Sequence, residues 1–368
     1  MSENKNNGFV VDKNLHVESS IGLSDVVFLD VREEPFDIYG LYDPKNEDVF
    51  KRLPDEVGLN VNEGVSSLYK HTAGGRVRFC TDSDCVAIKC TWNKTTHFSH
   101  MPLTCSGGFD LYLDTDISGV SKFVGICAPP FDTTDGYESV IKLQGKKLRY
   151  FTLNFPTYNN VKDLYIGVRK GSEVGKGKKY RFEKPVVFYG SSITQGGCAS
   201  HPGNTYQSIL SRHIDFDFIN LGFSGSGRGE DSIVDYMASL EMSAFFADYD
   251  HNSSIVGLKN THLKMYQKIR EKHPDIPYLM MSRADVDAGA NGYLETRERR
   301  RIIHDTFAYA IDNGDENVYF IDGEGIFRGN YEDCCTVDSV HPNDYGFLCM
   351  AQSIEGLFNR IINANKMK

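Results

Sequence analysis

The sequence has little of what several common protein classes need. Its 368 residues carry 40 Lys and Arg against 50 Asp and Glu, a net charge of −10, and they include no block of basic residues. Proteins that bind nucleic acid or anionic membrane surfaces rely on clustered positive charge. No run approaches the ~18 consecutive apolar residues of a membrane-spanning helix, and the polar N-terminus does not resemble a secretory signal. We therefore expect a cytoplasmic protein that binds neither nucleic acid nor membrane.

Several catalytic and nucleotide-binding motifs are also absent. The chain contains neither a Gly-x-x-x-x-Gly-Lys-Ser/Thr phosphate loop nor the His-Glu-x-x-His motif of zinc proteases. The glycine-rich residues 225–229 do not complete Gly-x-Gly-x-x-Gly, because position 230 is Glu. The Gly-x-Ser-x-Gly nucleophile elbow is missing, which argues against an α/β-hydrolase fold.

The cysteines lack the spacing of a metal site or of a disulfide framework. Nine is an odd number, and Cys80, Cys85 and Cys90 are separated by four residues each. The adjacent Cys334 and Cys335 have no second pair to complete a zinc site. We expect reduced thiols, no metal and no cofactor.

Two kinds of periodicity divide the chain into two domains. From about residue 10 to residue 170, short segments alternate apolar and polar residues between glycine-containing turns. This pattern predicts an antiparallel β-sandwich, most simply a jelly roll. The Gly-rich, basic residues 171–179 indicate the boundary. We assign residues 1–175 to the sandwich and residues 184–368 to a second domain.

The second domain alternates apolar strands with amphipathic helices. The predicted strands are 185–190, 216–222, 243–249, 278–282 and 318–322. The predicted helices lie near 204–213, 231–240, 258–273, 294–312 and 344–363. This order predicts a five-stranded parallel sheet that is covered on both faces. The loops after parallel strands open at one edge of the sheet, where ligands bind.

The residues expected at that edge fit acyl transfer by an activated serine. Ser192 follows the first strand, and Asp338 precedes His341 by three residues before the last helix. A serine hydroxyl needs a base such as His to take its proton, and a carboxylate orients that His. Gly222 ends the second strand and Asn252 follows the third, so a backbone N–H and a side-chain amide are available for the oxyanion.

Each of these residues also has a structural interpretation. Ser192 could cap a helix, Asp338 could cap the final helical region, and His341 could occupy a surface turn before a proline. Gly222 and Asn252 could be turn residues without a catalytic role.

In this order, the residues resemble the four sequence blocks of the SGNH (GDSL-like) hydrolase superfamily. The first block of that family is Gly-Asp-Ser, and residues 190–192 read Gly-Ser-Ser, so Ser191 replaces the aspartate. Gly222 matches the second block. Asn252 matches the third block without its usual preceding glycine, and residues 338–341 match Asp-x-x-His. The resemblance covers about residues 184–368 and implies a flavodoxin-like fold.

The resemblance also implies roles for these residues. Ser192 would be the nucleophile, His341 the general base and Asp338 the carboxylate that orients it. The N–H groups of Ser192 and Gly222 and the side-chain amide of Asn252 would form the oxyanion hole. No cofactor is implied.

A second resemblance concerns the first domain. Residues 108–112 read Gly-Phe-Asp-Leu-Tyr and are similar to the Gly-x-Asp-Leu-Tyr signature of a β-sandwich that precedes an SGNH domain in a subgroup of bacterial esterases. That subgroup is associated with carbohydrate deacetylation. The resemblance implies a serine esterase whose substrate is an acetylated oligosaccharide or another small ester. A lysophospholipase or thioesterase, an acyltransferase and a non-catalytic carbohydrate-binding protein remain alternatives, and the oligomeric state stays open.

Three residues of the first domain each allow two interpretations. Asp110 and Tyr112 share one face of a predicted strand and could be structural or could face the cleft. Trp92, the only tryptophan, could stack on a sugar or lie in the core.

Overall fold

The computed structural model describes residues 20–117, 119–284, 289–329 and 331–367, with the backbone alone described for 289–294. Within these ranges, no helix combines the length and the apolar composition needed to cross a bilayer. Strands up to Lys176 form antiparallel sheets, and strands from Val186 onward form a parallel sheet.

Two antiparallel sheets face each other in the first half of the described chain. Their strands are β1 (Val26–Asp30), β2 (Asp37–Tyr39), β3 (Arg76–Thr81), β4 (Cys85–Thr91), β5 (Phe109–Asp114), β6 (Ser121–Cys127), β7 (Gly136–Lys142), β8 (Arg149–Asn154), β9 (Asp163–Arg169) and β10 (Val174–Lys176). One sheet has the order β1-β9-β4-β7, and the other has the order β10-β3-β8-β5-β6 with β2 beside β3. The two-layer arrangement confirms the predicted sandwich.

Alternate residues of the strands form the core between these two sheets. Val86, Ile88 and Cys90 recur every second residue along β4, and all three belong to one buried apolar cluster. The same cluster contains Phe109 of β5 and Phe151 of β8, which lie in the opposite sheet. Period-two patterning therefore places one face of each sheet in a shared core, as the sequence predicted.

Trp92 belongs to this core. Its side chain is 3% exposed, and its indole Nε1 donates a hydrogen bond to Thr95 Oγ1 over 2.9 Å. The ring also packs against Tyr137 at a centroid distance of 5.5 Å. Trp92 is therefore a core residue and offers no surface for a sugar.

The second half contains a five-stranded parallel sheet with the order β12-β11-β13-β14-β15. Its strands are β11 (Val186–Gly190), β12 (Phe218–Gly222), β13 (Ala244–Asp248), β14 (Tyr278–Met281) and β15 (Val318–Ile321). All lie within two residues of the predicted bounds. The order 2-1-3-4-5 is flavodoxin-like, and it confirms the predicted fold class.

Nine helices occur in the described ranges, some of them only one turn long. They are α1 (Asp55–Gly58), α2 (Glu63–Leu68), α3 (Leu103–Ser106), α4 (Ser192–Gln195), α5 (Tyr206–Ile214), α6 (Asp231–Ser239), α7 (Ile255–Lys272), α8 (Gly289–Asp312) and α9 (Asp344–Asn363). Helix α7 begins three residues before its predicted start, because the Ser254 hydroxyl accepts the Gly257 N–H and caps the helix.

The parallel sheet is buried on both faces. Val186 and Phe188 lie in one apolar cluster, whereas Val187 and Tyr189 lie in the other. A strand covered on both sides has an uninterrupted apolar sequence, which explains residues 186–189. The C-terminal end of β11 consequently delivers Gly190 and the residues after it to the open edge of the sheet.

A buried arginine connects the first half of the chain to this sheet. Arg52 donates hydrogen bonds to the backbone carbonyls of Leu68 and His71, and to those of Asn220 and Gly222 in β12. Burial lowers the pKa of Arg52 to about 9. One guanidinium therefore joins residues near α2 to the end of the second parallel strand.

Asp110 makes a second connection between the two halves. One of its carboxyl oxygens accepts the Asn154 amide over 2.6 Å, and the other accepts the Gly203 N–H over 2.6 Å and contacts His201 Nδ1. Asp110 is fully buried. The aspartate of the Gly-Phe-Asp-Leu-Tyr segment thus fixes the loop between α4 and α5. Of its two interpretations, these contacts favour the structural one.

Replacing Asp110 with Asn should lower the free energy of unfolding by about 2–3 kcal/mol, because a buried donor loses its acceptor. Either orientation of the new amide turns its NH₂ group toward an existing donor, the Asn154 amide or the Gly203 N–H. Urea unfolding would measure the change. The matched control is Asp116→Asn, since Asp116 is fully exposed and forms its ion pair with Lys178 at the surface. Equal stability of the two variants would contradict the anchoring role of Asp110.

Candidate active site

Ser192 lies directly after the open end of β11, as the first residue of α4. The preceding residue, Ser191, caps this helix, since its hydroxyl accepts the Ile193 N–H over 3.2 Å. The helix ends after one turn at Gly196, whose φ of 101° suits glycine. Because Ser191 supplies the cap, the hydroxyl of Ser192 is left for another contact.

That contact is His341, 149 residues away in the sequence. Ser192 Oγ and His341 Nε2 are 2.9 Å apart. On the other side of the imidazole, His341 Nδ1 and Asp338 Oδ2 are 2.7 Å apart. The structure therefore brings together the three residues that the sequence singled out, as a continuous chain of hydrogen bonds from hydroxyl to carboxylate.

A tight turn before α9 presents His341. The Val337 N–H donates to the His341 carbonyl over 2.9 Å, and Ser339 has a φ of 68° in the left-handed region. Asn343 then caps α9 by accepting the N–H groups of residues 345 and 346. The turn and the cap fix the backbone on both sides of the imidazole.

Asp338 is held as a carboxylate by the same turn. Its Oδ1 accepts the N–H groups of Val340 and His341, over 3.1 and 2.8 Å. Burial acts to raise the pKa of Asp338, but the hydrogen bonds from the His341 amide and imidazole outweigh it, so its pKa lies below the ordinary value. An acceptor that stays ionised fixes the tautomer with a proton on Nδ1 and leaves Nε2 free to accept one.

Asp248, at the end of β13, forms hydrogen bonds that hold helix α4 in place. Asp248 Oδ2 accepts the hydroxyls of Thr194 and Tyr206, over 3.2 and 3.3 Å. Burial and the neighbouring Asp250 raise the pKa of Asp248 well above its usual range. Asp248 thus serves as a buried hydrogen-bonding group under the helix that carries Ser192.

The first domain also contributes to this site. The Tyr158 hydroxyl donates to the Ser192 carbonyl over 3.2 Å, and His71 Nδ1 lies 3.3 Å from Gln195 Nε2. Burial lowers the pKa of His71 to about 3, so its ring is neutral near neutral pH. The His100 ring lies 5.6 Å from the His341 ring. Sequence reasoning missed these three residues, because no local pattern links them to Ser192.

Two of the three expected oxyanion donors are consistent with the geometry. The Ser192 N–H is at the first position of α4, where a helix offers no intrahelical acceptor. Asn252 Nδ2 donates one hydrogen to the Phe223 carbonyl over 3.0 Å, and its second hydrogen has no acceptor among the residues that the structure describes.

Gly222 does not fit the expected role. Its N–H donates to Asn220 Oδ1 over 2.9 Å, so this donor already has an acceptor. A Cβ at this position would lie 2.2 Å from the Gln195 amide nitrogen. Gly222 therefore permits the close approach of β12 to α4, and we no longer count it among the oxyanion donors.

Gly225 in the following loop is a better candidate. Neighbouring amides of the loop are occupied, since the Phe223 N–H donates to the Gly190 carbonyl and the Ser224 N–H donates to Gln195 Oε1. The Gly225 N–H has no acceptor among the described residues, and its φ of 68° requires a left-handed backbone. The sequence offers one indication of this donor, a glycine three residues after the end of β12.

Models of two protein families match the chain. Residues 183–359 match the GDSL-like Lipase/Acylhydrolase family, and residues 26–174 match the GxDLY domain, described as the N-terminus of an SGNH-hydrolase-type esterase. A comparison with curated proteins found no match.

Solved structures share the arrangement of both domains. A protein described as a GDSL-like lipase from Bacteroides ovatus is 26% identical, with a TM-score of 0.81 over 93% of this chain and 99% of its own. A salicylyl-acyltransferase from a tetracycline biosynthetic pathway is 18% identical, with a TM-score of 0.74 over 92% of this chain and 98% of its own. An acetyl xylan esterase from Butyrivibrio proteoclasticus is 12% identical, with a TM-score of 0.54 over 92% and 99%. The last two likenesses concern the fold alone.

Proposed function

Because residues 183–359 belong to the GDSL-like lipase/acylhydrolase family and follow a GxDLY domain, we propose that the chain is a serine esterase that removes short acyl groups, chiefly acetyl, from oligosaccharides. The observation that carries the proposal is the chain of contacts Ser192–His341–Asp338, with distances of 2.9 and 2.7 Å. Such a chain supplies the activated nucleophile that acyl transfer requires.

In the first half of the reaction, Ser192 Oγ attacks the ester carbonyl while His341 Nε2 takes the hydroxyl proton. A C–O bond forms, and the carbonyl electron pair moves onto the oxygen. The N–H groups of Ser192 and Gly225 and the Asn252 amide donate to this oxyanion. When the tetrahedral intermediate collapses, the imidazolium returns its proton to the departing sugar oxygen, and the acyl group stays on Ser192.

In the second half, water replaces the sugar. His341 takes a proton from the water as it attacks the acyl-enzyme, and it then returns that proton to Ser192 Oγ as the carboxylic acid leaves. Asp338 stays ionised throughout and stabilises the imidazolium. The proton transfers between Ser192 and the base use the 2.9 Å contact of Ser192 Oγ with His341 Nε2.

Two further observations support a carbohydrate ester as substrate. The fold-level neighbours include an acetyl xylan esterase. An exposed aromatic ring also lies in the first domain, since Phe131 is 81% exposed and packs against His97, three residues before His100 in the sequence. An exposed ring of this kind offers an apolar face to the C–H groups of a sugar.

A chain-length series of nitrophenyl esters, together with acetate release from acetylated xylo- and manno-oligosaccharides, tests the proposal. We expect kcat/KM to be highest for acetyl and to fall by about 30-fold or more for butyryl, since butyryl adds two methylenes and each costs about 1–3 kcal/mol in a closely fitting pocket. Ser192→Ala serves as the background control.

The other outcomes would each identify a different function. Preference for long acyl chains would indicate a lysophospholipase or thioesterase. Acylated sugar in place of free acetate would indicate a transferase. No turnover of any ester, combined with binding of oligosaccharides, would indicate a non-catalytic carbohydrate-binding protein.

A further inference from the structure

Three side chains with metal-binding atoms meet beside Ser192. They are His100 from the first domain, Cys198 from the loop after α4, and His341. One ring nitrogen of each histidine and Cys198 Sγ all lie within 4.8 Å of one another. We propose that these residues form a site for Zn²⁺ and that Zn²⁺ bound there inhibits ester hydrolysis. The inhibition, but not the site, rests on the function proposed above.

The chemistry of the three ligands fits Zn²⁺. Zinc binds imidazole nitrogen and thiolate sulfur, and it accepts three protein ligands plus water in a tetrahedral shell. Metal–ligand bonds of about 2.0–2.3 Å place tetrahedral ligand atoms roughly 3.3–3.8 Å apart. Small side-chain rotations would bring the observed cluster to that spacing. His100 is exposed, so the cluster is open to solvent, which can supply the ion and the fourth ligand.

Cys198 has no other evident task in the structure. It is buried but lies outside the three buried apolar clusters that form the cores. Its thiol has no hydrogen-bond partner among the residues that the structure describes, and its φ of 73° is in the left-handed region that non-glycine residues seldom occupy. A residue held in such a backbone conformation at a candidate active site indicates a functional role.

Coordination of a metal ion changes the protonation state of the Cys198 thiol. A metal ion that coordinates the sulfur displaces its proton into solvent as the S–Zn bond forms. No electron transfer is involved, so the step reverses when a chelator removes the ion.

Coordination by His341 would stop the proposed reaction. Both of its ring nitrogens are engaged, Nε2 with Ser192 Oγ and Nδ1 with Asp338 Oδ2. Binding of Zn²⁺ to either nitrogen breaks one of these contacts. Ser192 then loses its base, or the base loses the carboxylate that fixes its tautomer.

Metal binding itself is tested with Co²⁺, which replaces Zn²⁺ and gives a thiolate-to-cobalt charge-transfer absorption. We expect the wild-type protein to show this band and Cys198→Ser to lose it. The control is Cys334→Ser, because Cys334 is the one exposed cysteine and should not contribute. The nearby group Asp248, Asp250 and His251 contains no sulfur, so it cannot produce the band. A missing band in the wild type, or a band that survives Cys198→Ser, overturns the site.

Inhibition is tested by titrating Zn²⁺ against acetyl-ester hydrolysis and restoring activity with EDTA. We expect Cys198→Ser to hydrolyse esters as the wild type does and to need at least about tenfold more Zn²⁺ for half-inhibition, since even outer-shell losses cost about 10–100-fold in affinity. Cys198→Gly, which suits the left-handed backbone, covers the case in which Ser misfolds. Unchanged inhibition in these variants overturns the proposal. A wild type with no esterase activity but a Cys198-dependent cobalt band would retain the metal site and refute the proposed function.

Discussion

Replacing Ser192 with Ala should lower kcat for acetyl esters by about 10⁴–10⁶-fold, the range found when a member of an activated-serine unit is removed. The hydroxyl is the atom that forms the acyl-enzyme bond, and its contact in the structure is the imidazole of His341. Residual activity should come only from the oxyanion donors and substrate binding. Initial rates with nitrophenyl acetate, and the absence of a burst of nitrophenol, would measure the loss.

Ser191→Ala is the matched control for this prediction. Ser191 is adjacent and also buried, but its hydroxyl caps α4 by accepting the Ile193 N–H. Losing the cap should cost about 1 kcal/mol of stability and should change kcat by far less than the loss of Ser192. Full activity in Ser192→Ala would exclude Ser192 as the nucleophile, and a greater loss in Ser191→Ala would assign that role to Ser191.

The parallel sheet and its edge were predictable from local pattern. Residues 186–189 are continuously apolar, because each face of β11 packs into a core of its own. A serine after that strand and an Asp-x-x-His before the last helix are residue types that the chemistry requires, and parallel strands bring such loops to one edge. The positions of Ser192, Asp338 and His341 followed from these two facts.

The contribution of the first domain was not predictable in the same way. Tyr158 and His71 touch the residues of α4, and Arg52 binds carbonyls of β12, but each contact depends on how the sandwich docks against the sheet. Docking is decided by complementary surfaces that a single sequence does not display. Local periodicity identifies buried faces and leaves open which surface of another domain will cover them.

Gly222 shows a second limit of prediction from the sequence. Its position at the end of a strand suggested an available N–H, but the side chain of Asn220 accepts that hydrogen. Asn side chains often bind backbone groups two residues away, so the segment Asn-Leu-Gly already contained the competing interpretation. A residue type and its position in the chain do not determine whether a donor is free.

Replacing Asp338 with Asn should lower kcat by about 10²–10⁴-fold while leaving KM nearly unchanged, because the orienting carboxylate acts on the base and not on the substrate. In the structure, Asp338 accepts the His341 Nδ1 proton and two backbone N–H groups. An Asn that keeps the backbone contacts must turn its NH₂ group toward Nδ1, which favours the tautomer with its proton on Nε2. That tautomer cannot accept a proton from Ser192.

The size and pH dependence of this loss are the informative quantities. The Asp338 side chain is 39% exposed, so water can replace part of its effect, and the loss should be smaller than at a fully buried triad. Because the pKa of Asp338 is lowered, its contribution should persist in the wild type as pH falls to about 4, the ordinary range for Asp, and disappear only below it. Asp333→Asn, at an exposed position in the preceding turn, is the control. If Asp338→Asn instead raised KM and left kcat unchanged, Asp338 would be a substrate contact, and His341 would act as a base without a carboxylate partner.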